Sequence, residues 1–346
     1  MSRTYTGEKT ISSINDSEKF EKKEDLSKLL PLLEAERANI KDKQTELKKE
    51  YPPYLFNLSN LQGYITSKYK GWTSDKVLKV AQSLYEKKLT TYPRTASVVL
   101  EESLKDRAKK VLETLKAGLP YEGEIKFTTS KRIFDSSKVE SHSAITPTYI
   151  KPSGLNGDEK IVYEAIKNRF IMQFMPVAEF EETKVTLKAE NPEIKGIFIS
   201  KGKVKLVEGW KKVEKIESKD VILPKVEVNE NVDVIKSKVS SVTKKPPKHH
   251  TEKTLLRVME TCGKGVEGKE DSEEMMASIL SGFSIGTPAT RAETIKKLKD
   301  IGYLKTKGKS LICTDLGRNI VEIFPVKDLL DLEYTCLLYT SPSPRD

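Results

Sequence analysis

Apolar residues fall at helical spacing over several stretches of the chain and alternate over others, so helices and strands separate along its length. The clearest helix carries Val77, Val80, Ala81, Leu84 and Tyr85 at i, i+3, i+4, i+7 and i+8 behind the hydroxyl cap Thr73. A preceding helix is expected from Ser59 and Gln62, read as a capping box, and stops near Gly71. Leu100, Leu104, Ala108, Val111, Leu112 and Leu115 predict a third, and Val162, Ile166 and Phe170 a fourth beyond Gly157. From Glu181 the pattern turns to β-branched residues in short alternating runs at 183–187, 197–199, 204–207, 221–223 and 226–234, which predicts an antiparallel sheet. Thr251 then opens a helix through Leu255, Leu256 and Met259. Thr287 with Pro288 opens another, whose inner stripe is read as Ala292, Ile295, Leu298 and Ile301. Residues 303–305 and 310–312 pair across Lys307-Gly308, and Thr314 caps a last helix, so that helix, hairpin and helix resemble a winged helix. Residues 17–50, dense in Lys and Glu, are compatible with a helix broken at Pro31 or with exposed strands.

Composition narrows the partner. The chain has 346 residues, 37% of them hydrophobic, and 61 Lys plus Arg against 51 Asp plus Glu, a net charge of +10 that favours a polyanion. No apolar run approaches the roughly 20 residues that span a bilayer, and Met1 to Phe20 lacks the apolar core of a signal peptide. The expectation is a soluble, non-secreted protein. Its three cysteines, Cys262, Cys313 and Cys336, are scattered and form neither a disulfide framework nor a zinc motif.

Between the second and third helices lies Thr90-Thr91-Tyr92-Pro93-Arg94-Thr95, which sets a phenol and a guanidinium two residues apart on a proline-stiffened extended segment. A phenol with an unperturbed pKa of about 10 becomes a nucleophile only with help, and a nearby Arg stabilises both phenolate and developing phosphoryl charge. Alone, a Tyr near an Arg is common and reads first as a buried ring beside a surface cation. His142, in Ser141-His142-Ser143-Ala144-Ile145-Thr146-Pro147-Thr148, is one of three histidines and sits among hydroxyls in a non-helical stretch, where it could donate to a phosphate oxygen or act as a structural hydrogen-bonding ring. Thr287, Thr290 and Arg291, at the start of a helix, combine hydroxyls, amides and a cation in what reads either as a phosphate platform or as simple capping. No Asp-x-Asp cluster is present.

Together these segments resemble the type IA DNA topoisomerases, and the topoisomerase III branch in particular. The resemblance runs in family order through Tyr51-Pro52-Pro53 to Ser59-Asn60-Leu61-Gln62, the Tyr92 segment, the His142 segment and Gly286-Thr287-Pro288-Ala289-Thr290-Arg291. It implies an α+β multidomain chain with a helical, winged-helix-like domain bearing the active-site tyrosine, an antiparallel β-arch and a mostly helical DNA-groove domain. The corresponding boundaries are a charged segment at 1–57 belonging to the arch and groove region, the tyrosine domain at 58–178, the arch at 179–245 and the groove domain at 246–335. Residues 336–346 resemble translated sequencing-adapter read-through and are set apart. By the same resemblance Tyr92 is the nucleophile that takes the 5′ phosphate of a cut single strand, Arg94 stabilises phosphoryl charge, His142 bonds near the scissile group, and Thr287, Thr290 and Arg291 contact DNA. Strand passage and religation need no ATP, the substrate is single-stranded or negatively supercoiled DNA, and the location is cytoplasmic and nucleoid-associated. Two departures stand out: Ala96 occupies the place of the family's usual aspartate, and no counterpart of the Mg2+-binding N-terminal (Toprim) domain precedes Tyr51. The expectation is a fragment that carries the nucleophile and is inactive alone. The competing reading is a non-catalytic winged-helix DNA-binding protein, distinguished by whether Tyr92 lies accessible beside Arg94 and His142.

Overall fold

The computed structural model describes residues 14–15, 31–33, 36–194, 196–217, 220–238, 245–262, 284–331 and 334. Two compact units emerge, one of Met1–Pro52 with Met175–Pro246 and the other of Pro53–Phe174 with Pro247–Asp346. The fold is α+β.

The first unit is built on a five-stranded antiparallel sheet of β1 (Ile14–Asn15), β2 (Arg37–Glu50), β3 (Ala178–Ala189), β4 (Phe198–Val207) and β5 (Asn231–Asp233), in the order β1-β4-β3-β2-β5. The ambiguous charged segment therefore resolves, over residues 37–50, as one long strand. Only Ala38 and Ile40 of β2 are buried; they pack with Val185, Leu187 and Val226, while the charged remainder is paired edge to edge with β3 in a register shifted by a bulge at Ile40/Asp42. The alternating runs at 197–199 and 204–207 are one strand, β4. The run at 221–223 makes one isolated bridge, Val221 to Lys203, and the run at 226–234 shortens to β5. Trp210, buried, donates its indole N–H to the Glu50 carbonyl at 2.8 Å, and Lys211 lies over Phe180 while pairing with Glu50 at 2.6 Å.

The second unit holds every described α-helix of more than one turn: α1 (Leu58–Lys68), α2 (Ser74–Glu86), α3 (Lys105–Lys116), α4 (Gly157–Met172), α5 (Glu252–Thr261), α6 (Pro288–Asp300) and α7 (Asp315–Ile323), with a hairpin of β6 (Leu304–Lys307) and β7 (Ser310–Cys313). Thr73, Thr251, Thr287 and Thr314 stand at their helix starts as the sequence predicts, and Asn156 caps α4 with a full capping box. The cap of α1 is corrected: Asn57, not Ser59, accepts from the Asn60 amide at 2.8 Å, which places Ser59 inside the first turn. Leu100 and Leu104 precede α3 rather than lying in it, because the Leu100 amide and carbonyl are taken by Ile133 and Asp135. Ile301 leaves the inner stripe of α6; it caps the helix end and is 56% exposed, whereas Ala292 and Ile295 are buried.

The main core of this unit joins Leu61 and Ile65 of α1, Val77, Ala81 and Leu84 of α2, and Val162, Tyr163 and Ile166 of α4 to Phe56, Leu89 and Ile145. A satellite core of Leu256, Met259, Ile295 and Leu311 binds α5, α6 and the hairpin. Buried Glu252, at the start of α5, accepts from the Ser74 amide at 3.0 Å and from Lys299, locking the starts of α2 and α5 to the end of α6. The Gly- and Glu-rich stretch after Cys262, the segment before Pro31 apart from Ile14–Asn15, and the tail at 336–346 lie outside the described residues.

Candidate active site

The Tyr92 segment begins where α2 ends. Lys87 donates to buried Glu159 at 2.6 Å, Lys88 takes a left-handed φ of 60°, and its amide reaches the Tyr85 carbonyl at 2.8 Å, turning the chain back along the helix. The extended segment that follows is stitched to the His142 segment by threonines. The Thr91 amide donates to the Thr146 carbonyl at 2.9 Å, and the Thr146 amide donates back to Thr91 Oγ1 at 2.9 Å. Thr148 bonds Leu89 and Lys88 through its amide and hydroxyl, and Thr95 Oγ1 donates to the His142 carbonyl at 2.7 Å. Leu89 and Ile145, inside the main core, anchor the two segments on either side of the site. Both segments are thus fixed by backbone bonds and core packing, which is what a preorganised site requires.

This stitching sets the Tyr92 ring 4.7 Å from the His142 ring, centroid to centroid, at 54°. Tyr85, at the end of α2, also meets the Tyr92 ring, at 5.3 Å and 74°. Tyr92 is half-buried, Arg94 and His142 are exposed, and among the described residues neither the Tyr92 hydroxyl, the Arg94 guanidinium nor the His142 ring nitrogens have a polar partner. Arg94 opens into a cleft of about 630 Å³ between α2 and α6, where Leu78 and Gln82 face Ala289 and Glu293. The lining lysines are paired, Lys79 with Asp75, Lys296 with Asp300 and Lys297 with Glu293, so Arg94 is the cation of this cleft left without a carboxylate among the described residues. An unpaired guanidinium in a cleft is available to a phosphate oxygen.

The residues at the start of α6 divide. Thr287 and Thr290 are exposed, with hydroxyls 3.2 Å apart and the Thr287 amide on Thr290 Oγ1 at 2.9 Å. Arg291 turns inward and is 3% exposed. Its Nε donates to the Ile285 carbonyl at 3.0 Å, Nη1 to Ser59 Oγ at 3.2 Å, and Nη2 to Ser284 Oγ at 3.1 Å and the Gly286 carbonyl at 3.0 Å; Glu260 lies 3.9 Å away. Burial pulls the guanidinium below its ordinary pKa, and Glu260 opposes that shift. Glu260 in turn accepts from Asn57 Nδ2, which also donates to the Ala96 carbonyl at 3.0 Å, so Arg291 is tied through two side chains to the end of the Tyr92 segment.

Four contributors escape a reading of the sequence. Asn57 is a helix cap whose second role, holding Ala96, needs tertiary contact; Thr91 and Thr95 look like ordinary hydroxyls; and Tyr85 looks like one more member of a helix stripe. Only its place seven residues before Tyr92, across a reversal, hints at contact. Among the described residues no group of three or more His, Cys, Asp or Glu could hold a metal ion, and no helix is long and apolar enough to cross a membrane.

Residues 3–340 match a family model described as DNA topoisomerase. The chain is 32% identical over 316 residues to DNA topoisomerase 3 of Bacillus subtilis strain 168, covering 86% of this chain and 42% of that protein. It is 30% identical over 322 residues to DNA topoisomerase 3 of Staphylococcus aureus strain USA300, covering 90% and 44%. The structure of full-length topoisomerase I from Thermotoga maritima aligns with a TM-score of 0.67 at 26% identity, over 95% of this chain and 51% of that one. The chain thus spans less than half the length of these curated relatives.

Proposed function

The chain belongs to the type IA DNA topoisomerase family, and from that premise we propose that it carries the nucleophile of an ATP-independent enzyme that cuts and reseals one DNA strand. The observation that carries this reading is the Tyr92 phenol, packed against His142 at 4.7 Å and, like the Arg94 guanidinium two residues on, without a polar partner among the described residues. In the proposed step Tyr92 Oη attacks a backbone phosphorus, a tyrosine O–P bond forms as the bond to the 3′ oxygen breaks, and the phenol proton is given up while the 3′ oxygen leaves as a hydroxyl. Arg94 balances the charge spread over the phosphoryl oxygens, and a His142 ring N–H donates to one of them. Because the phosphotyrosine keeps the bond energy, attack of the 3′ hydroxyl restores the strand and the free phenol without ATP.

Single-stranded or negatively supercoiled DNA is the proposed substrate, which would hold the protein at the nucleoid. The helix, hairpin and helix from α6 to α7 read as a winged-helix-like groove element, with Thr287 and Thr290 as phosphate contacts and Arg291 as the residue that seats them, and the sheet of the first unit reads as the arch. Mg2+ dependence is proposed at the level of the family alone. The described residues do not form a site for the ion, and no step is assigned to it.

The test is incubation of the chain with labelled single-stranded oligonucleotide and Mg2+, with and without a type IA metal-binding domain in trans, scoring protein–DNA adducts that survive denaturant. An adduct formed by the wild type and absent from Tyr92→Phe supports the reading. Oligonucleotide binding with no adduct, although the added domain is folded and bound to the chain, overturns it in favour of a DNA-binding protein without cleavage activity.

A further inference from the structure

We propose that Tyr85 is a positioning residue for Tyr92, an inference that rests on the nucleophilic role assigned above. The periodicity of α2 assigns Tyr85 to the buried stripe with Val77, Ala81 and Leu84, yet those three belong to the main core and Tyr85 does not; it is 40% exposed. What its ring touches instead is Tyr92, edge to face at 5.3 Å and 74°. The geometry follows from the reversal at Lys88, whose positive φ and bond to the Tyr85 carbonyl bring residues seven apart in sequence side by side.

The contact has a particular consequence for the phenol. The Tyr92 ring is in contact with both His142 and Tyr85, and these two neighbours restrict its rotamers while the hydroxyl, without a polar partner among the described residues, stays free. Misplacing a reacting atom by about 1 Å costs as much as 10²-fold in rate, so confining the ring converts directly into reactivity. Among the described residues the Tyr85 hydroxyl has no hydrogen-bond partner, which leaves the aromatic ring as the acting part. Phenylalanine therefore preserves the function and leucine, similar in bulk but without an aromatic edge, does not.

Two measurements on Tyr85→Leu and Tyr85→Phe test this. The first is fluorine NMR of the chain with 3-fluorotyrosine placed at residue 92, free of DNA. The second is the rate of adduct formation at saturating oligonucleotide under the conditions that support it, alongside the oligonucleotide Kd. The expected result is a resonance for Tyr85→Phe that matches the wild type, a displaced and rotamer-averaged one for Tyr85→Leu, and adduct formation roughly two- to tenfold slower in Tyr85→Leu alone, with Kd and thermal midpoint unchanged. A Tyr85→Leu protein whose fluorine signal stays wild-type overturns the proposal, as does one whose signal moves while its adduct rate does not. If the wild-type chain forms no adduct although the added metal-binding domain is folded and bound to it, the nucleophilic reading fails on its own, and the fluorine spectrum still decides whether Tyr85 holds the Tyr92 ring.

Discussion

Removing the Arg291 guanidinium separates two roles that its position in the chain leaves open. The side chain is 3% exposed and donates four hydrogen bonds, two to carbonyls and two to serine hydroxyls, with Glu260 at 3.9 Å. A hydrogen bond to a charged group nets about 1.5–3 kcal/mol, and deleting one member of a buried ion pair costs about 3–5 kcal/mol because the other charge is stranded. Some of these acceptors regain water, since Glu260 is 26% exposed, so the losses do not sum. For Arg291→Ala we expect about 3–5 kcal/mol, and for Arg291→Lys, which keeps the charge but cannot fork across acceptors on different sides, about 2–3 kcal/mol. Because every described α-helix of more than one turn lies in the second unit, urea unfolding followed by far-ultraviolet circular dichroism reports on it. At a slope of about 2–3 kcal/mol/M the midpoint for Arg291→Ala should fall by roughly 1–2 M. Oligonucleotide affinity supplies the contrast. An arginine on a DNA phosphate would lower the slope of log affinity against log salt by about one when replaced, and leave stability within about 0.5 kcal/mol. That outcome would refute the assignment of Arg291 to an internal role.

Two further perturbations probe other parts of the fold. Asp135 pairs with Lys138 at 2.8 Å and accepts from Ser137 at 2.6 Å, bonds that lower the pKa of its carboxyl to about 2. Its contribution is thus present above the ordinary carboxylate range and lost as pH falls through about 2, so the wild type should melt above Asp135→Asn at pH 5 and the gap should close toward pH 2. In the first unit Gly209 has φ 54°, and a Cβ there would meet the Pro176 carbonyl oxygen at 2.3 Å, so Gly209→Ala should destabilise by about 2 kcal/mol or more. Fluorescence of the adjoining Trp210 during urea unfolding measures it, and an unchanged midpoint would rule out the close approach.

The parts of this molecule that sequence reveals are those whose determinants are local. A hydroxyl before an amphipathic run fixes a helix start whatever lies around it, and Thr73, Thr251 and Thr314 each do so; Pro288 fixes the start of α6 in the same way. Ser59 fails that test because Asn57, two residues earlier, offers a better acceptor and Ser59 is drawn off by an arginine 232 positions away. The long strand β2 was undecidable for a related reason: with only two buried residues it carries no two-residue hydrophobic period, and its conformation comes from its antiparallel pairing with β3, including Lys49 against Glu179. The candidate site is divided along the same line. Tyr92, Arg94 and His142 are conspicuous as residue types in polar, non-helical segments, but the 4.7 Å meeting of Tyr92 with His142 depends on the Thr91–Thr146 stitch and on Leu89 and Ile145 sharing one core. Arg291 inverts the case. At a helix start its charge points by default to an anion outside, but the Ile285 and Gly286 carbonyls and the Ser284 hydroxyl nearby, with Ser59 and Glu260 brought in from distant parts of the chain, supply the acceptors that turn it inward. Charge at a helix N-terminus therefore marks a phosphate contact only when the interior beneath it lacks acceptors, and beneath α6 it does not.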